Sequence, residues 1–128
     1  GTTYDGIDVS GTLDFSGTTL MRLSFAAAGS TVDWSDPFWN DDRAWLVYDV
    51  TGTTTSISNL SVAAENWPDA FGKDFDTLRA GATFTVRQTG QDVELVYAVP
   101  EPSACSLLTT LVVVLLCRRR NRSTPAPA

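Results

Sequence analysis

Residues 83–99, TFTVRQTGQDVELVYAV, decide the fold of the body of this chain. Apolar and polar side chains alternate on both sides of Thr89-Gly90-Gln91, as they do in two half-buried strands joined by a turn. The stretch therefore predicts a β-hairpin. The side chains expected to point inward are Phe84, Val86, Val93, Leu95, Tyr97 and Val99.

Shorter alternating runs precede the hairpin, at residues 7–9, 13–15 and 21–25, and Ser16-Gly17 between the last two predicts a tight turn. Residues 44–50 carry apolar side chains on both faces, which predicts a central strand. A turn is expected at residues 51–55, and Ile57, Leu60 and Val62 predict a further strand with a bulge.

Two segments rich in Asp and aromatic residues separate these runs. Residues 26–42 predict a long loop, because Pro37 lies inside a stretch without strand alternation. Residues 65–78 predict a second irregular segment with a short helical turn at residues 74–78. The body is therefore expected to be all-β, either a β-sandwich or the terminal coils of a β-solenoid, with no convincing internal repeat.

Composition limits the chemistry of the body. Residues 1–99 hold no histidine and no cysteine, which leaves no Ser-His-Asp triad, cysteine nucleophile or thiolate zinc site. The same residues carry fourteen acidic and five basic side chains, a balance of −9, which argues against nucleic-acid binding. We expect no catalytic residue, metal or cofactor, and we interpret Arg22, Arg43, Arg79 and Arg87 as strand-surface or salt-bridge residues.

The composition of the body allows three other interpretations. The aspartates at 33, 36, 41, 42, 69, 74 and 76 could bind calcium, although they match no calcium-loop pattern and acidic loops are usually just solvated. An acid pair such as Asp36 with Asp41 could form the two-carboxylate site of a glycosidase, although no other catalytic element accompanies it. A sugar-binding platform is the third interpretation, although such side chains more often form a core. Its residues would be Trp34, Phe38, Trp39, Trp45 and Trp67.

The last strand runs directly into a tail with three parts. Pro100-Glu101-Pro102 is a stiff segment that favours an extended, exposed conformation. Residues 104–117 are uncharged and mostly apolar, but a helix of this length spans only about 21 Å, which is short for a bilayer core of about 30 Å. Four arginines follow and resist translocation, so they are expected to stay on the cytoplasmic side. They are Arg118, Arg119, Arg120 and Arg122.

This order of motif, apolar run and arginine cluster resembles the PEP-CTERM protein-sorting signal of bacteria. The resemblance implies recognition by an exosortase, a membrane-embedded protease or transpeptidase that cuts near Pro-Glu-Pro and releases or transfers the protein to the cell surface. The apolar run here is short, and residues 123–128 form a longer tail than this signal usually has. Residues 4–20 also loosely resemble the final coils of bacterial autotransporter-passenger-like β-strand-repeat proteins.

The sequence thus predicts a β-rich exported domain at residues 1–99, a sorting signal at residues 100–122 and a disordered tail at residues 123–128. Within the signal, residues 100–102 form the motif, residues 103–117 the hydrophobic helix and residues 118–122 the arginine cluster. Because the chain begins without Met or a leader, we expect it to be part of a longer protein. Expected partners are an exosortase, transiently the inner membrane and, as an alternative, an extracellular polysaccharide. The helix is expected to place Ala104, Leu107, Leu108, Leu111, Val112, Val113, Val114, Leu115 and Leu116 in the membrane.

Overall fold

The computed structural model describes residues 4–27 and 30–100, and within them the chain is all-β. Strands are short, apart from three that exceed six residues, and helices are limited to single turns. The strands are β1 (Ile7–Val9), β2 (Leu13–Asp14), β3 (Thr19–Met21), β4 (Ala26–Ala27), β5 (Ser30–Thr31), β6 (Arg43–Val50), β7 (Thr54–Thr55), β8 (Leu60–Val62), β9 (Thr83–Thr89) and β10 (Asp92–Ala98). Two 3₁₀ helices (Pro37–Asn40 and Ile57–Asn59) and α1 (Phe75–Leu78) lie between them.

The largest sheet has four strands in the order β1-β6-β10-β9. The β9–β10 hairpin pairs Thr89 with Asp92 and Phe84 with Tyr97. Gly90 in its turn has a φ of 65°, a backbone conformation that favours glycine. The predicted hairpin is therefore confirmed. The predicted central position of residues 44–50 is also confirmed, since β6 lies between β1 and β10.

Two distant stretches of the chain run side by side in a constant register. Ile7 pairs with Tyr48, Leu13 with Thr54 and Thr19 with Leu60, so all three parallel strand pairs are offset by 41 positions. We call residues 7–21 the first arm and residues 48–62 the second arm. The pairing continues through the bends between strands, where Leu13 N donates to Thr53 O and Thr51 N to Val9 O.

The constant register reveals a short repeat in the sequence. Residues 8–12 read DVSGT and residues 49–53 read DVTGT, again 41 positions apart. The hydroxyls of Thr12 and Thr53 lie 3.2 Å apart across the two copies. The expectation of no internal repeat is therefore wrong at this position. The continuous match is only five residues long in a unit of 41, so it is easily missed.

Buried side chains form two clusters. The smaller one lies between the arms and the hairpin and contains Phe15, Leu60 and Val93. The larger one is mainly aromatic and packs the irregular segments against the hairpin, which explains why those segments are rich in aromatic residues. Its buried members are Trp34, Trp39, Phe75, Ala82, Phe84, Leu95 and Tyr97.

Four local predictions need correction. The strand expected at residues 21–25 ends at Met21, where its partner β8 also ends at Val62. The long loop at residues 26–42 contains the antiparallel β4–β5 pair and a 3₁₀ helix that begins at Pro37. The turn predicted at residues 51–55 is shorter, because Thr54–Thr55 form β7 and pair with β2. The bulged strand at residues 57–62 is a 3₁₀ turn followed by β8. The helical turn predicted at residues 74–78 is confirmed as α1.

Candidate functional site

Of the residues that the sequence analysis assigned to the tail, the structure describes Pro100 alone. The remaining motif residues, the apolar run and the arginine cluster lie outside the described residues, so the roles predicted for them stay predictions. These residues are Glu101, Pro102, Ala104, Leu107, Leu108, Leu111, Val112, Val113, Val114, Leu115, Leu116, Arg118, Arg119, Arg120 and Arg122.

The site that the structure does describe is the junction between the body and this tail. The chain leaves the body from β10, which has β6 on one side and β9 on the other. Directly after the strand, Val99 N donates a hydrogen bond of 2.8 Å to Asp42 Oδ1. Pro100 is exposed, and its ring lies within 3.5 Å of the place that a Cβ on Gly81 would occupy. The junction is therefore held by the fold up to the first residue of the Pro-Glu-Pro motif.

Arg79 lies beside this junction and holds the segment before β6 by hydrogen bonds. Its guanidinium donates to Trp34 O (2.6 Å), Asp36 O (2.8 Å) and Asn40 Oδ1 (2.7 Å), all within the segment before β6. The fixed fork of an arginine suits such a set of acceptors. Arg79 also lines an open cleft of about 400 Å³ together with Pro100. The interpretation of Arg79 as a strand-surface or salt-bridge residue is thus wrong, because it binds loop acceptors instead.

The other three body arginines form ion pairs, as predicted. Arg22 pairs with Glu65 at 3.0 Å and Arg87 with Glu94 at 2.6 Å. Arg43 lies 3.7 Å from a carboxylate oxygen of Asp41 and stacks over the Phe38 ring at 4.3 Å. Hydrogen bonds from Arg87 and Thr89 lower the pKa of Glu94.

Two of the four tryptophans in the platform interpretation, Trp34 and Trp39, lie in the core, whereas Trp45 and Trp67 are half-buried against it. Trp34 is fully buried and Trp39 is 8% exposed, and their rings pack at 4.8 Å. Trp34 Nε1 donates to Trp67 O at 2.6 Å, and the buried Tyr97 hydroxyl donates to Trp39 O at 2.9 Å. These rings pack the irregular segments against the hairpin. They therefore have the core role that is the alternative to a sugar-binding platform.

Several of the loop aspartates accept hydrogen bonds from the backbone. Asp33 Oδ1 accepts from both the N–H and the hydroxyl of Ser35, and these hydrogen bonds lower the pKa of Asp33. Asp36 Oδ1 accepts from Phe38 N at the start of the 3₁₀ helix. Such caps satisfy donors that a helix end or turn leaves free. Within residues 4–27 and 30–100, no group of three or more acidic, histidine or cysteine side chains could hold a metal ion.

A second open cleft, of about 420 Å³, lies beside the edge strand β9. Trp67 forms part of its wall, and polar side chains of Glu65, Asn66 and Asp76 line it together with Thr83. No sequence pattern predicts this arrangement, because the residues come from three separate segments. An aromatic wall with acidic and amide groups can accept a small polar ring.

Comparisons with protein-family models, with curated proteins and with solved structures found no match. In the part of the chain that the structure describes, no helix has the length and apolar character needed to cross a membrane.

Proposed function

We propose that this chain is the C-terminal part of an exported bacterial surface or extracellular-matrix protein, whose body is structural or adhesive. Residues 100–122 act as a PEP-CTERM signal that an exosortase recognises and processes. Pro100, Glu101 and Pro102 present the recognition motif, residues 103–117 hold the chain transiently in the inner membrane, and the arginines at 118–120 and 122 fix the orientation. In this proposal the chain is the substrate of the sorting enzyme and catalyses no reaction itself.

The observation that carries this proposal is the order of motif, apolar run and arginine cluster immediately after the body. The described junction supports it in one respect. Because β10 lies between two neighbouring strands, and Asp42 binds Val99 N, the body keeps its last strand paired up to the motif. The motif thus begins one residue after Val99, whose N–H is bound by Asp42, and a membrane enzyme can reach it there without unfolding the body.

We further propose that the two arms are successive coils at the end of a β-solenoid. The constant offset of 41 residues over three parallel strand pairs supports this architecture over a β-sandwich. In a sandwich, neighbouring strands are mostly antiparallel. In a solenoid, equivalent residues of successive repeats stack in parallel. The hairpin then covers the last coil, which suits a scaffold protein.

The sorting role is tested by replacing Pro100, Glu101 and Pro102 with Ala in the native host and locating the protein by fractionation. We expect the triple variant to accumulate in the inner-membrane fraction, because the enzyme loses its motif while the apolar run is kept. A matched control replaces Ser123, Thr124 and Pro125 with Ala and should reach the surface. Normal delivery of the first variant would refute the proposal.

Polysaccharide contact is the second candidate function of the body, either as a binding module or as an accessory domain of a secreted polysaccharide-active enzyme. The cleft beside β9 favours it, since Trp67, Asn66 and Asp76 line one opening. A glycan array probed with the body and with Asn66→Ala and Asp76→Ala variants tests this function. Binding that both variants weaken at least about tenfold would support a sugar site in this cleft, since losing a hydrogen bond to a ligand has effects of this size.

A further inference from the structure

The two sides of the paired arms differ in how far they are covered. The second arm has the first arm on one side and the hairpin on the other, where β6 pairs with β10. Thr54 Oγ1 donates to Gln91 O and Val50 N donates to Asp92 Oδ1, which extends this cover. Within the described residues, each strand of the first arm has one paired neighbour, the matching strand of the second arm.

Among residues 4–27 and 30–100, the outer edge of the first arm is therefore unpaired and presents regular main-chain groups. Val9 O, Leu13 N and Phe15 N face the second arm. Neighbouring residues of a strand direct their main-chain groups to opposite edges, so the amides of Asp8, Asp14 and Leu20 face outward. These three positions recur every six residues, as do the strands of the arm.

The strands of the first arm are short and carry Asp8 and Asp14, but they lack the two residue types that block edges most directly. Natural edge strands are often blocked by lysine or proline, and residues 7–21 contain neither. Ile7 is 54% exposed and Leu20 is 57% exposed, although Tyr48, the partner of Ile7, is half-buried. Ile7 and Leu20 thus place an exposed apolar side chain near each end of this edge.

We propose that the outer edge of the first arm, residues 7–21, binds a further β-coil of the same kind, parallel and in register. The second arm shows how such a coil is held, since it pairs with the first arm in this geometry over three strands and two bends. The partner is thus a polypeptide segment with three short strands whose starts are six residues apart and a Gly-Thr bend after the first. This inference deepens the scaffold role proposed above.

A second copy of the whole chain fits the edge less well. Head-to-tail stacking would need the far side of the second arm, which the hairpin covers. A two-fold arrangement about an axis perpendicular to the strands would bring the first arms together antiparallel, unlike the pairing inside the chain. The charge of −9 on residues 1–99 also makes two bodies repel each other.

The test measures amide hydrogen exchange in the full chain held in detergent. One sample receives a synthetic peptide with the sequence of residues 7–21, and a second form of the chain carries an extra copy of residues 7–47 ahead of Ile7. In either sample, we expect exchange at Asp8, Asp14 and Leu20 of the original arm to slow at least about tenfold, because edge amides become paired.

Two variants locate the effect. Ile7→Lys combined with Leu20→Lys should abolish the protection, since lysines block edge pairing. Phe71→Lys replaces a more exposed apolar residue on a loop away from the edge and should leave the protection intact. Near-ultraviolet circular dichroism of each variant confirms that the body is folded.

Protection in neither sample would overturn the inference, as would protection that the two lysines leave unchanged. Dimerisation of the unmodified chain through this edge, seen by analytical ultracentrifugation and removed by the lysines, would also overturn it. These measurements use purified protein, so their failure leaves the sorting proposal standing. Failure of the sorting test would likewise leave the edge inference standing.

Discussion

The backbone of Gly52 lies directly against the backbone of Gly11. A Cβ built on Gly52 would overlap the carbonyl group of Gly11. The two glycines occupy the same place in DVSGT and DVTGT, so the contact joins equivalent bends of the two arms. The close stacking of the arms therefore depends on the absence of a side chain at position 52.

Gly52→Ala should destabilise the body by about 1–3 kcal/mol, because the added methyl forces the arms apart. Urea unfolding followed by tryptophan fluorescence measures the change. Gly6→Ala is the matched control, since its Cβ would make an ordinary contact of 3.7 Å with Leu46 O. Equal stabilities of the Gly52 and Gly6 variants would contradict the account of the stacked bends.

Arg79→Lys should lower the free energy of unfolding by about 1.5–3 kcal/mol. A lysine cannot reach Trp34 O, Asp36 O and the Asn40 side chain together, so hydrogen bonds to a charged group are lost. The control is Arg22→Lys, whose side chain is 78% exposed in its ion pair with Glu65 and should change stability by less than about 1 kcal/mol. The same urea unfolding experiment compares the two.

Stability should fall at alkaline pH because of Tyr97. Burial raises the pKa of its phenol above the ordinary value, and the protonated hydroxyl donates to Trp39 O. A group whose pKa is raised on folding stabilises the fold below its unfolded pKa, about 10 for Tyr, and loses that contribution as the pH rises through the folded pKa. Thermal unfolding between pH 8 and about 11.5 measures this loss.

Tyr97→Phe supplies the matching test of that assignment. The variant should be less stable at neutral pH by about 1–2 kcal/mol, because Trp39 O loses its donor in a buried place. It should also show a weaker alkaline dependence than the parent. Tyr4→Phe changes an exposed phenol and should leave both properties unchanged. An alkaline dependence that persists in Tyr97→Phe would show that another group is responsible.

Acid should destabilise the body through hydrogen-bonded carboxylates. The pKa of Asp14 is lowered by the hydroxyls of Thr55 and Ser56, and that of Asp33 by Ser35. Groups with a lowered folded-state pKa stabilise the fold above their unfolded value, about 3.9 for Asp, and lose that contribution as the pH falls through the folded pKa. Urea midpoints between pH 6 and about 2.5 should therefore decline, with a shallower slope for Asp33→Asn.

Local alternation predicted those parts of the fold that depend on nearby residues. The hairpin and the central strand β6 follow from side-chain patterns within a few positions, and Gly90 marks the turn. The parallel pairing of the arms could not be predicted in this way, because it joins residues 41 positions apart. The five-residue match of DVSGT with DVTGT is its clearest sequence signal.

Less of the candidate site than of the fold could be predicted from the sequence. The position of Pro100 at the end of a strand follows from the sequence, whereas its place near Gly81 and the hydrogen bond from Val99 N to Asp42 depend on tertiary packing. The role of Arg79 was also hidden, since its acceptors are carbonyl groups that no residue pattern reveals. The aspartates were ambiguous because the same side chain caps a turn or binds a cation.

Mass spectrometry of the mature C-terminus, in protein recovered from the surface of the native host, tests the central claim most directly. The account predicts a C-terminus near the Pro-Glu-Pro motif, with residues 118–128 absent. Surface protein that retains Arg118 to Ala128 intact would contradict it.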